Sequence, residues 1–282
     1  MNHKSHSRIP FILTEKTRYL LKAALDEDIG TGDKTTDILI SKKAKGRAVV
    51  VARETGLLCG EPIVCELLRL LDASVKVKFP VMEGERFSKN KPVVELEGSV
   101  SSILKVERTL LNFFGHLSGI ATKTREYVDR VKKYPVFILD TRKTTPLWRE
   151  VEKYAVRVGG GKNHRMGLYD RILIKENHRP QADWERLEKF RGQFEIEVRN
   201  LKELKEALKL GPRIILFDNF SPAALHKAVQ MTRHLHPEII LEASGGITLD
   251  NVAHYAALGV DWISIGALTH SAKSIDFSLL VS

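Results

Sequence analysis

The stretch Val136-Phe137-Ile138-Leu139-Asp140-Thr141-Arg142-Lys143 sets the pattern for the second half of the chain, because a short apolar run ends in charged and polar residues. Similar runs follow, separated by stretches in which apolar residues have helical spacing. The apolar runs are Val136–Leu139, Ile172–Ile174, Phe194–Ile196, Ile214–Phe217, Ile239–Leu241 and Trp262–Ile265. Successive runs start 20 to 36 residues apart, which is typical of alternating strands and helices. Because continuous apolar runs suit strands covered on both faces, we predict a parallel sheet or barrel.

The length of this region favours an open barrel. From Val136 to the end there are 147 residues and six predicted strands, whereas a complete βα barrel typically has about 250 residues. The connections have helix signals: Asn200–Leu210 has helical apolar spacing, and Ser221 followed by Pro222 is typical of a helix start. We therefore predict an incomplete TIM-like βα barrel of about six strands.

The first half of the chain has a different pattern. The predicted strands are Arg47–Leu58, Val75–Phe79 and Pro92–Leu96. The predicted helices are Leu20–Leu25 and Pro62–Leu71. A long helical segment follows from Ile103 to about Tyr134, with a predicted break near Ser118-Gly119. We predict an N-terminal α+β domain at residues 1–112 and the barrel at residues 113–282, with the C-terminal tail able to return to the first domain.

Composition predicts a soluble, globular, basic protein. The chain has 282 residues, 43% of them hydrophobic, and a formal net charge of +10. No apolar stretch of the sequence approaches the roughly 20 residues of a membrane span, and residues Met1–Lys22 show no secretory signal, which together predict a cytoplasmic protein. The two cysteines, Cys59 and Cys65, are too few for a disulfide scaffold, and we expect both to be reduced core residues.

The positive charge is concentrated in one segment. Residues 140–179 contain ten Lys and Arg residues against five Asp and Glu residues, so this segment carries half of the net charge. A basic surplus permits nucleic acid, an anionic surface or a highly anionic small substrate as partner. The location of these charges near predicted strand ends favours the small substrate.

Polar residues follow each predicted strand, where βα barrels hold their active sites. The strand ends are Asp140-Thr141-Arg142-Lys143, Lys175-Glu176-Asn177-His178, Glu197, Asp218-Asn219, Glu242-Ala243-Ser244-Gly245-Gly246 and Ser264-Ile265-Gly266. The last two, with small residues before a helix, would let backbone N–H groups approach a phosphate. The alternative is that each is an ordinary tight turn.

The charged strand ends leave two interpretations open. Arg142 alone would normally be solvated, but Lys143, Arg165 and Lys175 are expected at the same rim, where an anion would compensate their charges. Glu197 and Asp218 could pair with those basic residues, or accept ribose hydroxyls and Mg²⁺-bound water. His164 has no histidine four residues away, and such an isolated His is more often a hydrogen-bonding loop residue than a metal ligand.

Six stretches, in order along nearly the whole chain, resemble the quinolinate phosphoribosyltransferase family, also called carboxylating nicotinate-nucleotide pyrophosphorylase. They are Leu25–Asp33 with Thr35-Thr36, Glu107–Asn112 through Ser118–Thr122, Asp140–Pro146, Glu152–Tyr154 through Asn163–Arg165, Leu173–His178, and Ser244–Ile247 with Gly266–Ser271. Compared with the family, the segment between His178 and Phe194 is short, so an abbreviated second βα unit is expected.

The resemblance implies a pentosyltransferase of de novo NAD biosynthesis that uses quinolinate, phosphoribosyl pyrophosphate and Mg²⁺, and releases nicotinate mononucleotide, pyrophosphate and CO₂. It implies a homodimer or homohexamer with shared active sites, in which the 1–112 domain contributes to the interface and Arg108 reaches the partner's site. The implied contacts with quinolinate and pyrophosphate are Thr141, Arg142, Lys143, His164, Arg165 and Lys175. Glu197 and Asp218 would face the ribose and bind Mg²⁺ through water. The 5′-phosphate would be bound by Ser244, Gly245, Gly246, Ser264, Ile265 and Gly266. The expected catalytic residues are Lys143, Lys175, Glu197 and Asp218.

Three other hypotheses remain at this point. A relative with the same scaffold and another acceptor should lack part of the basic cluster, yet Arg108, Arg142, Arg165 and Lys175 are present. A Schiff-base aldolase would use Lys143 or Lys175 as its nucleophile. A nucleic-acid-binding protein would explain the basic charge, but the sequence has none of the usual nucleic-acid-binding motifs, so we expect no nucleic-acid partner. We also expect no membrane partner.

Overall fold

The computed structural model of the chain describes residues 10–282. Residues 1–9, on which part of the secretory-signal prediction rests, lie outside the described residues. Within residues 10–282, no helix is both long enough and apolar enough to span a bilayer. Two compact units are formed: the first contains the described residues up to Lys123 with Thr145–Gly160 and Ser271–Ser282, and the second contains Thr124–Thr144 and Gly161–His270.

Helices and strands follow one another along the whole described chain. Up to the long helix they are α1 (Glu15–Ile29), α2 (Lys34–Leu39), β1 (Lys45–Ala52), β2 (Gly56–Leu57), α3 (Glu61–Asp72), β3 (Lys76–Lys78), β4 (Arg86–Phe87), β5 (Pro92–Ser99) and α4 (Val100–Val131). The later elements are β6 (Phe137–Leu139), α5 (Arg149–Val158), β7 (Ile172–Ile174), α6 (Trp184–Leu187), β8 (Phe194–Val198), α7 (Leu201–Leu210), β9 (Ile214–Asp218), α8 (Pro222–Leu235), β10 (Ile240–Ser244), α9 (Val252–Ala256), β11 (Trp262–Ser264), α10 (Ala267–His270) and β12 (Phe277–Val281).

The first unit is built on an antiparallel sheet with the strand order β12-β1-β5-β3. Val50 of β1 lies between Leu279 of β12 and Val94 of β5, so the last strand of the chain pairs with the first. Val50 and Val94 are fully buried, as expected for the apolar face of a strand. The α+β character predicted from the first half of the sequence is confirmed.

The long helix α4 is continuous over 32 residues, so the predicted break near Ser118-Gly119 is wrong. The glycines have another use, because the segment before β12 lies directly against the helix. A Cβ atom at Gly119 would lie 2.1 Å from the carbonyl oxygen of Lys273, and Ile275 N–H donates to the carbonyl of Gly115 at 3.0 Å. Gly119 therefore permits a close backbone approach instead of ending a helix.

The second unit contains a six-stranded parallel sheet with the order β6-β11-β10-β9-β8-β7. All six predicted strands are present. Among the described residues, β6 pairs with β11 and not with β7, so the ring of strands is open between the first and second of them. Lys162 covers part of this edge, since its N–H donates to the carbonyl of Ile138 at 2.8 Å. The predicted incomplete barrel is confirmed.

Helix boundaries in the second unit follow the sequence signals. Asn200 caps α7 by accepting from Glu203 N–H, and Gly211 ends the helix with a φ of 66°. Ser221 caps α8 with Pro222 in the first turn. The connection between β7 and β8 holds only the four-residue α6 and two short 3₁₀ segments, which confirms the abbreviated second βα unit.

The two cysteines lie in different environments. Cys59 is fully buried, as predicted, and burial raises the pKa of its thiol. Cys65 is exposed, so its assignment to the core is wrong. It lies on α3 among the buried residues Val64 and Glu66, but it points to the outer face of that amphipathic helix.

Candidate active site

The carboxyl ends of the parallel strands surround a cavity of about 150 Å³ in the second unit. Strand register brings Asp218, Ser244 and Ser264 to the same level of the sheet. The lining residues are Thr141, Arg142, Lys143, His164, Arg165, Leu173, Lys175, Glu197, Leu216, Asp218, Glu242, Ser244 and Ser264. Most of the predicted site residues are therefore brought together in one cavity.

Arg165 is the most buried arginine of the cavity, with 6% of its surface exposed. Burial, together with the charge of Arg142, lowers the pKa of its guanidinium. Its Nη1 donates to the carbonyl of Arg171 at 3.0 Å, whereas its buried Nε has no hydrogen-bond partner within the described residues. A buried donor without a partner is costly, so this side chain is suited to an incoming anion.

His164 has both ring nitrogens engaged by the protein. Nδ1 accepts from the N–H of Arg165 at 2.8 Å, and Nε2 lies 3.2 Å from Glu195 Oε1 and 3.5 Å from Glu242 Oε1. Burial disfavours the imidazolium, but the hydrogen bond to Glu195 and the charges of Glu242 and Glu195 outweigh it and raise the pKa of His164. Protonation of Nδ1 would break its bond with Arg165, so this arrangement belongs to the neutral ring with its proton on Nε2.

Glu195 was missed by the sequence reasoning, and Glu242 was named only as part of a strand end, without a role in the site. Both are fully buried, in strands β8 and β10. Burial and the charge of Glu195 raise the pKa of Glu242 to about 7, although Ser264 Oγ donates to its Oε1. Glu242 Oε2 is buried and has no hydrogen-bond partner in the part of the chain that the structure describes. The available signal for Glu195 was a carboxylate between the apolar residues Phe194 and Ile196 of a predicted strand, where an uncompensated charge is disfavoured.

The side chains of His164, Glu195 and Glu242 have a ligand atom each within 4.8 Å of the others, close enough to hold a metal ion. The hydrogen bond at His164 Nδ1 argues against metal binding by this cluster. A neutral imidazole that binds a metal through Nε2 carries its proton on Nδ1, but Nδ1 here accepts from Arg165 N–H. The cluster fits a hydrogen-bonded network better than a metal centre.

Glu197 and Asp218 line the cavity from neighbouring strands β8 and β9. Lys175 Nζ lies 3.5 Å from Glu197 Oε2, so Glu197 pairs with a basic residue of the rim, one of the two roles considered for it. Asp218 accepts from the side-chain amide of Asn219 at 3.0 Å. Carboxylate oxygens at a cavity wall are the ligands that Mg²⁺ prefers, directly or through water, so the donor set fits that ion.

The two glycine-containing loops differ in what they can offer a phosphate. Gly245 and Gly246 have positive φ angles of 90° and 62°, and a Cβ at Gly245 would lie 2.2 Å from Asn219 Oδ1. The next helix, α9, begins at Val252, six residues after Gly246. Ser244 lines the cavity, but neither glycine does.

In the second loop, Ile265 cannot serve as predicted in this arrangement. Its N–H donates to the carbonyl of Leu139 at 2.9 Å, which extends the pairing of β11 with β6, and its side chain is buried. Gly266 lies against Lys143, since a Cβ there would be 3.0 Å from Lys143 Cδ. Ser264 is the residue of this loop that lines the cavity.

Arg108 does not line this cavity. It lies on α4 and lines another cavity, of about 490 Å³, within the first unit. Other residues of that cavity are Glu27, Asp28, Asn112, His116 and Trp148.

Both halves of the chain match known protein families. The family model of the quinolinate phosphoribosyl transferase C-terminal domain matches residues 120–280, and the family model of the N-terminal domain matches residues 33–118. The chain is 40% identical over 264 residues to a probable carboxylating nicotinate-nucleotide pyrophosphorylase of Bacillus subtilis, covering 91% of this chain and 90% of that protein. A similarly named protein of Methanocaldococcus jannaschii is 40% identical over 273 residues, covering 92% and 95%. The structure of the nicotinate-nucleotide pyrophosphorylase from Francisella tularensis superposes with a TM-score of 0.89 at 38% identity, covering 96% of this chain and 98% of the other.

Proposed function

This chain belongs to the quinolinate phosphoribosyltransferase family, and we propose that it transfers phosphoribose from phosphoribosyl pyrophosphate to quinolinate with loss of CO₂. The products are nicotinate mononucleotide and pyrophosphate, and the activity is that of a carboxylating nicotinate-nucleotide diphosphorylase in NAD biosynthesis. The observation that carries this proposal is the cavity whose wall brings together the basic side chains Arg142, Lys143, Arg165 and Lys175.

Acceptor binding requires positive groups for two carboxylates. Arginine binds a carboxylate through two parallel N–H bonds, and Arg142 and Arg165 both line the cavity. Lys143 and Lys175 are compact charges suited to the pyrophosphate oxygens. We assign His164 to holding Arg165, because both of its nitrogens already have protein partners.

In the transfer step, the pyridine nitrogen of quinolinate forms a bond to C1 of the ribose. The bond from C1 to the pyrophosphate oxygen breaks, and its electron pair leaves with pyrophosphate. Positive charge develops on the ribose, where the carboxylates of Glu197 and Asp218 stabilise it, while Lys143 and Lys175 stabilise the leaving oxygens.

Decarboxylation follows on the new pyridinium ring. The bond between C2 and its carboxyl carbon breaks, its electron pair stays on C2 beside the positive nitrogen, and C2 then takes up a proton. The neighbouring carboxylate at C3 remains bound by the basic cluster, which keeps the ring in place during this step.

Mg²⁺ is part of the proposal through Glu197 and Asp218, which would hold it by way of water. When bound with phosphoribosyl pyrophosphate, the ion would neutralise charge on the diphosphate. Ser244 supplies a hydroxyl group at the part of the cavity assigned to the 5′-phosphate, next to the loop of Gly245 and Gly246, whereas the hydroxyl of Ser264 already donates to Glu242.

The proposal includes a homodimer or homohexamer with shared active sites. Its support is that Arg108 lines a cavity of the first unit and does not line the cavity of the second. Large apolar side chains of the first unit are also exposed, including Tyr19, Ile38 and Leu39 at 73%, 81% and 73%. Such side chains are typical of surfaces that become buried on association.

The test is a steady-state assay of the purified chain with Mg²⁺, phosphoribosyl pyrophosphate and either quinolinate or nicotinate as acceptor. We expect nicotinate mononucleotide from quinolinate, and little or none from nicotinate, which lacks the second carboxylate. Activity with nicotinate and none with quinolinate would refute the proposal. Borohydride trapping of a carbonyl substrate on Lys143 or Lys175 would instead support the aldolase hypothesis.

A further inference from the structure

Four hydrogen bonds form a closed ring of residues beside the cavity. Arg165 N–H donates to His164 Nδ1 at 2.8 Å, and His164 Nε2 lies 3.2 Å from Glu195 Oε1. Arg171 Nη1 donates to the other oxygen, Glu195 Oε2, at 3.3 Å, and Arg165 Nη1 donates to the carbonyl of Arg171 at 3.0 Å. We call these four residues, His164, Arg165, Arg171 and Glu195, the Arg165 ring.

Only two members of the Arg165 ring line the cavity, namely His164 and Arg165. Glu195 is fully buried and does not line it, and neither does Arg171. Arg171 has a second support, because its guanidinium lies over the ring of Trp262 at 5.4 Å from the centroid. Glu195 thus accepts one hydrogen bond from His164 and one from Arg171, and it connects these two residues, which both hold Arg165.

We propose that Glu195 is a positioning residue for the acceptor's carboxylates, acting through His164 and Arg171 on the Arg165 side chain. The inference rests on the proposed function, in which Arg165 binds a carboxylate of quinolinate. Each oxygen of Glu195 accepts from a different donor, which fixes the imidazole in the Nε2–H form and leaves Nδ1 to accept from Arg165 N–H. Glu195 touches no substrate in this scheme.

The replacement Glu195→Gln tests this role with little change in size. Glutamine has one acceptor oxygen and one NH₂ donor, so it can satisfy only one of the two donors that Glu195 receives. We expect the KM for quinolinate to rise about tenfold to a hundredfold, the usual effect of losing one charge-assisted hydrogen bond. The KM for phosphoribosyl pyrophosphate should change by less than about twofold.

Arg171→Lys tests the opposite side of the ring by removing the guanidinium that reaches Glu195, and it should raise the same KM in the same direction. A matched control is Glu203→Gln, at a half-buried carboxylate of α7 that contacts Arg179 and Arg199 and does not line the cavity. We expect this control to keep both KM values. If the two ring variants lower kcat with unchanged KM values, or raise both KM values equally, the positioning role is wrong.

A spectroscopic readout separates this inference from the proposed function. In ¹⁵N-labelled wild-type protein, the resonances of His164, assigned by comparison with His164→Gln, should show protonated Nε2 and unprotonated Nδ1. An Nδ1–H form in the wild type would overturn the positioning role, whereas wild-type protein without activity on quinolinate would overturn the proposed function.

Discussion

Replacement of Arg165 by lysine keeps one positive charge in the cavity but removes the planar guanidinium. Nη1 of Arg165 is already bound to the carbonyl of Arg171, whereas the buried Nε has no hydrogen-bond partner among residues 10–282. We therefore assign the edge formed by Nε and Nη2 to a carboxylate, which it can bind through two parallel bonds. A lysine ammonium would keep about one of these bonds.

Loss of one charge-assisted hydrogen bond costs about 1.5 to 3 kcal/mol. Since about 1.4 kcal/mol corresponds to a factor of ten, kcat/KM for quinolinate should fall roughly tenfold to 150-fold in Arg165→Lys. The KM for phosphoribosyl pyrophosphate should stay within about twofold of the wild-type value, because the carboxylate that Arg165 binds belongs to quinolinate and not to phosphoribosyl pyrophosphate. Initial rates with quinolinate varied at saturating donor measure this directly.

Arg233→Lys is the matched control for this experiment. Arg233 pairs with Asp261 at 2.6 Å in the same unit, and it does not line the cavity. We expect it to retain the kinetics of the wild type. A change of less than about threefold in Arg165→Lys, or an equal loss in the control, would refute the carboxylate-binding role of Arg165.

Three further predictions address the shared site, the metal and the long helix. Arg108→Ala and Lys143→Ala proteins should each be nearly inactive and partly regain activity after subunit exchange; no recovery despite demonstrated exchange would contradict a shared site. Removal of Mg²⁺ with EDTA should abolish the transfer, and added Mg²⁺ should restore it; unchanged activity with EDTA would contradict the assignment of the ion. Gly119→Ala, which would stabilise an ordinary helix, should lower the free energy of unfolding by about 1 to 3 kcal/mol in urea denaturation, because the new Cβ would clash with the Lys273 carbonyl. A stabilised variant would contradict the close approach.

The strands of the second unit could be predicted because their sequence is almost continuously apolar. Runs such as Ile214–Phe217 are buried on both faces, and that burial is visible in composition alone. Helix ends were equally predictable where one residue type is required, as at Gly211, which adopts a positive φ. The strand-end rule then located most of the cavity, since parallel strands place their carboxyl ends at one edge.

What could not be predicted depends on contacts between distant residues. Gly119 resembles a helix breaker until Lys273, more than 150 residues later, is placed against it. Ile265 follows a strand like any other loop residue, but its N–H pairs with Leu139 of a strand far earlier in the chain. Glu195 lies within an apolar run, and its value to the site depends on donors from a loop about 30 residues away.

The central claim is that the cavity holds both carboxylates of quinolinate and that only one of them is lost. ¹³C NMR of the reaction with quinolinate labelled separately at each carboxyl group tests it most directly. We expect the C2 carboxyl label to appear as CO₂ and bicarbonate, in step with pyrophosphate release, while the C3 carboxyl label remains in nicotinate mononucleotide. Retention of both labels in the product would contradict this proposal. So would the absence of any reaction between either form of labelled quinolinate and phosphoribosyl pyrophosphate with Mg²⁺.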